Sequence, residues 1–232
     1  MGLRLATSAM LRNLCMVALA GALRAAPVRL SKERSLRTRM GGATVASAPI
    51  EGMRPGTSGL RKRTKVWVET EHYVENFAQS ILAGWRSVGG LPGPGGGTLV
   101  LGGDGRYFNE AAAQRILKVL AANGVARVVV PVGGVVSTPA ASALVRRLGA
   151  DGAILLTASH NPGGLDGDFG IKFNTGPDGA PAKEFLTEAV YEASTTLTSY
   201  ESLVEAADVD LAVVGSTRVG ETVVDVVESS DA

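Results

Sequence analysis

The chain has 232 residues, 45% of them hydrophobic and 19% charged, which is long enough to bury a core and too apolar for a disordered segment. Its net charge of +1 conceals an asymmetry: residues 1–50 carry eight Lys/Arg against one acid, Glu33, and the remainder carries 15 basic and 21 acidic residues. A body that acidic excludes a nucleic-acid surface, and a single cysteine, Cys15, excludes a disulfide within the chain.

Residues 1–27 hold an Arg-punctuated apolar core that ends in small residues, and SKERSLRTRMGG (31–42) follows, basic and rich in hydroxyls. This composition resembles a targeting leader for a plastid or another organelle, with a cytoplasmic arm as the alternative. The apolar run is too short and interrupted for a membrane span, which needs about 20 residues, so no stable membrane insertion is expected. Residues 1–50 are therefore set apart from a domain expected over 51–232.

EGMRPGTSGLRKR (51–63) is turn-rich and basic. From Glu71 to Val88 the apolar positions Tyr73, Phe77, Ile81, Leu82, Trp85 and Val88 fall at helical spacing and predict one buried stripe. GGLPGPGGG (89–97) is a flexible loop and TLVLGG (98–103) a buried strand. Asn109 is placed to cap a helix with an Ile116, Leu117, Leu120 face, stopped by Asn123-Gly124. ARVVVP (126–131) is the next strand, and Thr138-Pro139 opens a helix that Gly149 ends. Strands at 152–158 and 169–174, a helix from Pro181 to Ser194, and strands at 210–215 and 221–227 complete the pattern. Continuous apolar strands alternating with helices predict an α/β sandwich with a largely parallel sheet. Ligands of such sheets sit at the carboxyl ends of the strands, where TASHNPGG (157–164) lies.

Ser159 in that stretch stands in a tight turn whose glycines admit a ligand and whose N–H groups can cradle an anion. A serine there can carry a phosphoryl group, with His160 able to bond a phosphate oxygen or move a proton and Lys172 supplying a point charge. A turn serine beside a surface histidine fits the same eight residues equally well. There is no G-x-S-x-G elbow around Ser159 and no P-loop. Asp166-Gly167-Asp168 lacks the further ligands of a calcium loop and reads as a plain turn. Thr57, Ser58 and Arg61 in PGTSGLRKR suit phosphate recognition, although the segment alone favours a solvated basic linker. Asp104 and Arg106 in GGDGRYFN read as an ion pair that shapes the loop.

Taken together, PGTSGLRKR, YVENFAQSI, LVLGGDGRYFN, VVSTPA and TASHNPGG…GDFGIKFN, in this order, resemble the first domain of the α-D-phosphohexomutase family, in its glucose-specific phosphoglucomutase branch. The resemblance runs from about Arg54 to Asp225. It implies a three-layer α/β/α sandwich with a mixed, mostly parallel sheet. It also implies interconversion of glucose 1-phosphate and glucose 6-phosphate through a phosphoserine at Ser159 and a glucose 1,6-bisphosphate intermediate. His160 and Lys172 match positions beside the phosphoserine, and Arg61, with Thr57 and Ser58 around it, matches the loop that meets the substrate phosphate. Mg2+ is the implied cofactor, held by a Ser159 phosphate oxygen and by aspartates of a second domain that this sequence lacks, as it lacks the family's sugar-reading loop. The expectation is thus a first domain that turns over weakly or not at all alone and self-associates through an uncovered interface. The alternative is a separate sugar-phosphate-binding or regulatory module.

Overall fold

The computed structural model describes residues 42–228, so the leader over residues 1–41 lies outside the described residues. In chain order the elements are β1 (Ala43–Ala46), β2 (Leu60–Arg63), α1 (Thr64–Glu69), α2 (Tyr73–Ser87), β3 (Gly96–Gly103), α3 (Asn109–Ala122), β4 (Val125–Pro131), a 3-10 turn (Val132–Gly134), α4 (Thr138–Leu148), β5 (Gly152–Leu156), β6 (Asp168–Thr175), β7 (Ala180–Pro181), α5 (Glu184–Thr196), β8 (Ser199–Ser202), β9 (Gly215–Val219) and β10 (Thr222–Val227). The main sheet runs β2-β6-β5-β3-β4-β10-β9, with β7 beside β6, and β1 and β8 form a separate antiparallel pair.

The apolar runs of β3, β4 and β5 pair in parallel, as buried strands should, and β10, buried on one face, adds in parallel to β4. β6 is antiparallel to β5 and to β2, and β9 is antiparallel to β10, so the sheet is mixed. Two cores sandwich it. The larger gathers Phe77, Ile81 and Trp85 of α2, Ile116 and Leu120 of α3, and Phe169, Ile171 and Phe173 of β6. The smaller sets Leu144 and Val145 of α4 against Val100, Ala153 and Leu155. Helices on both faces make the three-layer α/β/α arrangement. α5 packs onto α2 at Gly84, where an added Cβ would stand 2.6 Å from the Val190 backbone nitrogen.

The helix over 71–88 and the strands near 98–103, 126–131, 169–174 and 221–227 form as the periodicity predicts, and the strand expected over 152–158 ends at Leu156. Other expectations are corrected. Residues 43–46, assigned to the leader, form β1, and Ser47 Oγ donates to Asn76 Oδ1 at 2.9 Å on α2. LRKR of the supposed linker is β2. DLAVVG (210–215) is a turn that only at Gly215 enters β9, because the Asp210 carboxylate accepts the Ala212 N–H at 3.0 Å and offers the backbone a local partner in place of a ladder. Asn109 does not cap α3. It is the first helical residue, and its amide donates to Gly134 O at 3.1 Å. Ser137 caps α4 by accepting from Ala140 N, and Gly149 closes that helix in the left-handed conformation, φ 58°. Among the described residues no helix is long and apolar enough to cross a membrane.

Candidate phosphoryl-transfer site

The carboxyl edge of the parallel strands is where β5 hands over to the stretch that carries Ser159. Thr157 N still donates to Gly170 O at 2.8 Å, and then the chain leaves the sheet in a turn closed by Asn161 N on Ala158 O at 3.1 Å. Ser159 sits in this turn at φ 55°, a left-handed conformation that costs a side-chain-bearing residue about 1–2 kcal/mol and persists only where the surroundings impose it. Its side chain is exposed and its Oγ accepts from Arg61 Nη2 at 2.8 Å.

Arg61 arrives from β2 through the β2–β6 register, in which Arg61 stands opposite Gly170. A Cβ at Gly170 would lie 2.9 Å from Arg61 Cγ and 2.6 Å from Thr157 O, so the missing side chain is what lets the guanidinium cross β6 towards Ser159. Lys172, two residues along the same face, is half-buried. Burial and the neighbouring Arg61 charge both lower its pKa from the ordinary lysine value. Gly59, at φ 81°, permits the backbone of the preceding turn to press on Lys172, since a Cβ there would stand 2.5 Å from Lys172 Cβ.

The Ser159 loop is held from a third direction by the ion pair expected at Asp104 and Arg106, which closes at 2.8 Å. Arg106 Nη2 donates to Ser159 O at 3.0 Å and Nη1 to Asp168 O at 2.7 Å. Asp104 Oδ2 accepts from Thr157 Oγ1 at 2.7 Å, and Thr157 Oγ1 accepts the Ser159 N–H at 2.9 Å. Burial pushes the Asp104 carboxyl up, but the hydrogen bonds from Arg106 and Thr157 together with the Arg106 charge outweigh it and hold the group below the ordinary carboxylate value. Asp166 and Asp168 form the expected turn: Asp166 pairs with Lys65 at 2.6 Å, and Asp168 accepts from Asn161 Nδ2 at 2.8 Å.

Of the residues singled out in the sequence, Ser159 and Arg61 are in direct contact and Lys172 is within electrostatic reach of Arg61. His160 is exposed in the same turn and makes no hydrogen bond among the described residues. Thr57 and Ser58 are exposed at the tip of the turn closed by Gly56 and Gly59, at 2.8 and 3.1 Å, and bond to none of the other four. Thr157 and Gly170 were not singled out. Thr157 had a legible signal, a hydroxyl two residues before a turn N–H that it can cap. Gly170 had none, because its use depends on what crosses over it.

Among the described residues no three His, Cys, Asp or Glu side chains converge as metal ligands. Ser159 Oγ is met by a guanidinium, and both Asp104 oxygens are bonded. A hard divalent cation needs several oxygen ligands, so these residues do not fit Mg2+ by themselves. They do suit an oxyanion: two cations and a hydroxyl at a strand end, with glycines allowing approach.

Residues 52–201 match the family model of phosphoglucomutase/phosphomannomutase, alpha/beta/alpha domain I. The chain belongs to this family. It is 48% identical to the phosphoglucomutase of Rhizobium radiobacter over 185 residues and 47% identical to that of Aspergillus fumigatus over 188, covering 80% and 81% of this chain. Each match takes in 32% of the relative, so the chain spans about a third of the length of the curated relatives it matches. Among solved structures it is similar to the exocytosis-sensitive phosphoprotein pp63/parafusin, a phosphoglucomutase from Paramecium, in its open form. That likeness has a TM-score of 0.71 at 38% identity and covers 81% of this chain and 35% of that one. The fold is that of the family's first domain.

Proposed function

We propose that this chain is the phosphoserine-bearing domain of a phosphoglucomutase-type isomerase, in which Ser159 carries the phosphoryl group exchanged between glucose 1-phosphate and glucose 6-phosphate. The observation that carries the reading is the Ser159 hydroxyl, exposed at the carboxyl edge in a left-handed turn, with Arg61 Nη2 2.8 Å from Oγ. In the loading step the Ser159 oxygen bonds to the phosphorus of glucose 1,6-bisphosphate and the sugar's P–O ester bond breaks. The serine gives up its proton and the departing sugar oxygen takes one. In the return step a sugar hydroxyl attacks the phosphoserine and the serine is regenerated. Such transfers need positioning and charge neutralisation more than covalent chemistry. Arg61 and Lys172 neutralise the equatorial oxygens. Lys172, with its lowered pKa, is the group suited to exchange a proton at the transferring oxygen, and His160, exposed in the same turn, bonds a phosphate oxygen.

The test is to incubate the dephosphorylated chain with glucose 1,6-bisphosphate carrying a labelled phosphate and to map the label by mass spectrometry. Label on Ser159, absent from Ser159→Ala, is the expected result. A chain that binds inorganic phosphate but never acquires label is a sugar-phosphate-binding module, and the transfer reading falls.

A further inference from the structure

Arg106 is more fully engaged than any other side chain of the site. Its Nε donates to Asp104 Oδ1 at 2.9 Å and Oδ2 at 3.1 Å, and Nη2 donates to Asp104 Oδ2 at 2.8 Å and Ser159 O at 3.0 Å. Its Nη1 donates to Asp168 O at 2.7 Å and Asn161 O at 3.5 Å, and the side chain is only 8% exposed. A guanidinium has five N–H donors. These are directed at one carboxylate, at two carbonyls of the Ser159 loop and at the first carbonyl of β6, which leaves Arg106 no free fork with which to grip a phosphate. On the other flank, Thr157 has a single hydroxyl proton. Because Thr157 Oγ1 accepts the Ser159 N–H, that proton is given to Asp104 Oδ2. Both backbone groups of Ser159 are therefore tied to one Asp104–Arg106 unit, the N–H through Thr157 and the C=O directly. They are tied in a conformation, φ 55°, that a serine does not keep unaided.

We propose that Asp104, Arg106 and Thr157 are positioning residues, which lock Ser159 in its left-handed turn with Oγ on Arg61 and thereby set the rate of phosphoryl transfer without contributing to sugar-phosphate affinity. The rate half of this inference rests on the reading of Ser159 as the phosphoryl carrier, whereas the geometric half does not. A residue that fixes the nucleophile acts on the transition state and leaves the ground-state encounter alone.

The test uses the full chain and the variants Thr157→Val, Thr157→Ser, Arg106→Ala and Arg61→Ala. Valine keeps the volume of threonine and removes the hydroxyl, and serine restores the hydroxyl. Labelling of Ser159 by glucose 1,6-bisphosphate is followed against donor concentration. Thr157→Val, which removes both the bond from the Ser159 N–H and the bond to Asp104, is expected to slow labelling at saturation about tenfold or more, each net hydrogen bond being worth about 0.5–1.5 kcal/mol, with half-saturation within about twofold of the parent. Thr157→Ser is expected to recover most of that rate, and Arg61→Ala, which removes a phosphate contact, to raise half-saturation. Amide hydrogen exchange of a peptide spanning 157–161 is read in parallel and is expected to quicken in Thr157→Val and Arg106→Ala but not in Thr157→Ser, with β10 unchanged. Half-saturation raised at an unchanged rate in Thr157→Val or Arg106→Ala would overturn the proposal, and so would unaltered exchange. If the parent chain takes up no label, the phosphoryl-carrier reading fails and exchange alone decides the geometry. If Arg106→Ala does not fold, the two Thr157 variants decide it.

Discussion

Gly170→Ala is the smallest change that probes how Arg61 reaches the site. The added methyl would stand 2.6 Å from Thr157 O, 2.9 Å from Leu60 O and 2.9 Å from Arg61 Cγ. Two of these neighbours are backbone oxygens, and Thr157 O belongs to the strand end that presents Ser159, so neither can yield without bending β2 or β5. Overpacking of this kind costs about 1–3 kcal/mol. For a domain of this size each kcal/mol is about 2–4 °C in Tm, which gives a fall of roughly 2–12 °C in a calorimetric melt. The contact with the most freedom is Arg61, and swinging it aside gives up its hydrogen bond to Ser159. The displaced guanidinium would also no longer meet a phosphate at Ser159, and one such bond to a charged group is worth about 1.5–3 kcal/mol, so inorganic phosphate should bind about ten- to a hundredfold more weakly by titration calorimetry. In the double variant Arg61→Ala Gly170→Ala the Cγ is gone, so part of the Tm should return while phosphate affinity stays low. A Gly170→Ala chain that melts within about 1 °C of the parent would refute the argument, because the crossing would then have slack.

Ser159→Gly should be more stable than Ser159→Ala by about 1 kcal/mol in denaturant unfolding, since only glycine occupies φ 55° without a Cβ penalty, and neither variant should take up label. Lys172→Met should melt higher than the parent at neutral pH while losing phosphate binding. The sign follows from the lowered pKa: protonated Lys172 weakens the folded chain below its depressed value, and the penalty fades as pH rises from there to the ordinary 10.5. Melts across that range should show the gap between parent and variant narrowing, and a constant gap would refute burial as the cause. Trp67→Phe leaves Phe169 O without the 3.0 Å bond it accepts from Trp67 Nε1, in a core where Trp67 meets Phe169 edge-on, and should cost about 1–3 kcal/mol of unfolding free energy.

Most of the α/β framework was legible because its elements carry their own signals. β3, β4 and β5 are apolar runs too short for helices, α2 repeats its apolar residues at helical spacing, and α4 is bracketed by Thr138-Pro139 and Gly149. The segment at 210–215 misled because its apolar run outweighed a turn-forming aspartate. β2 and β1 were missed because LRKR and ATVA hold too little apolar pattern to announce a strand.

By itself the sequence determined the alternation of strands and helices, the placing of Ser159 and His160 at a strand end, and a motif order that resembles phosphohexomutases. Those are local properties, written in spacing and turn chemistry. Only the tertiary structure decided that Arg61, 98 residues before Ser159, reaches its hydroxyl. It alone decided that Gly170 is the gap Arg61 passes through, and that Arg106 is spent on carbonyls of the loop and of β6. The reason is that β2 is a strand by virtue of its ladder with β6, and a ladder is a property of two segments. Which hydrogen bonds a charged side chain makes is likewise settled by its neighbours in space.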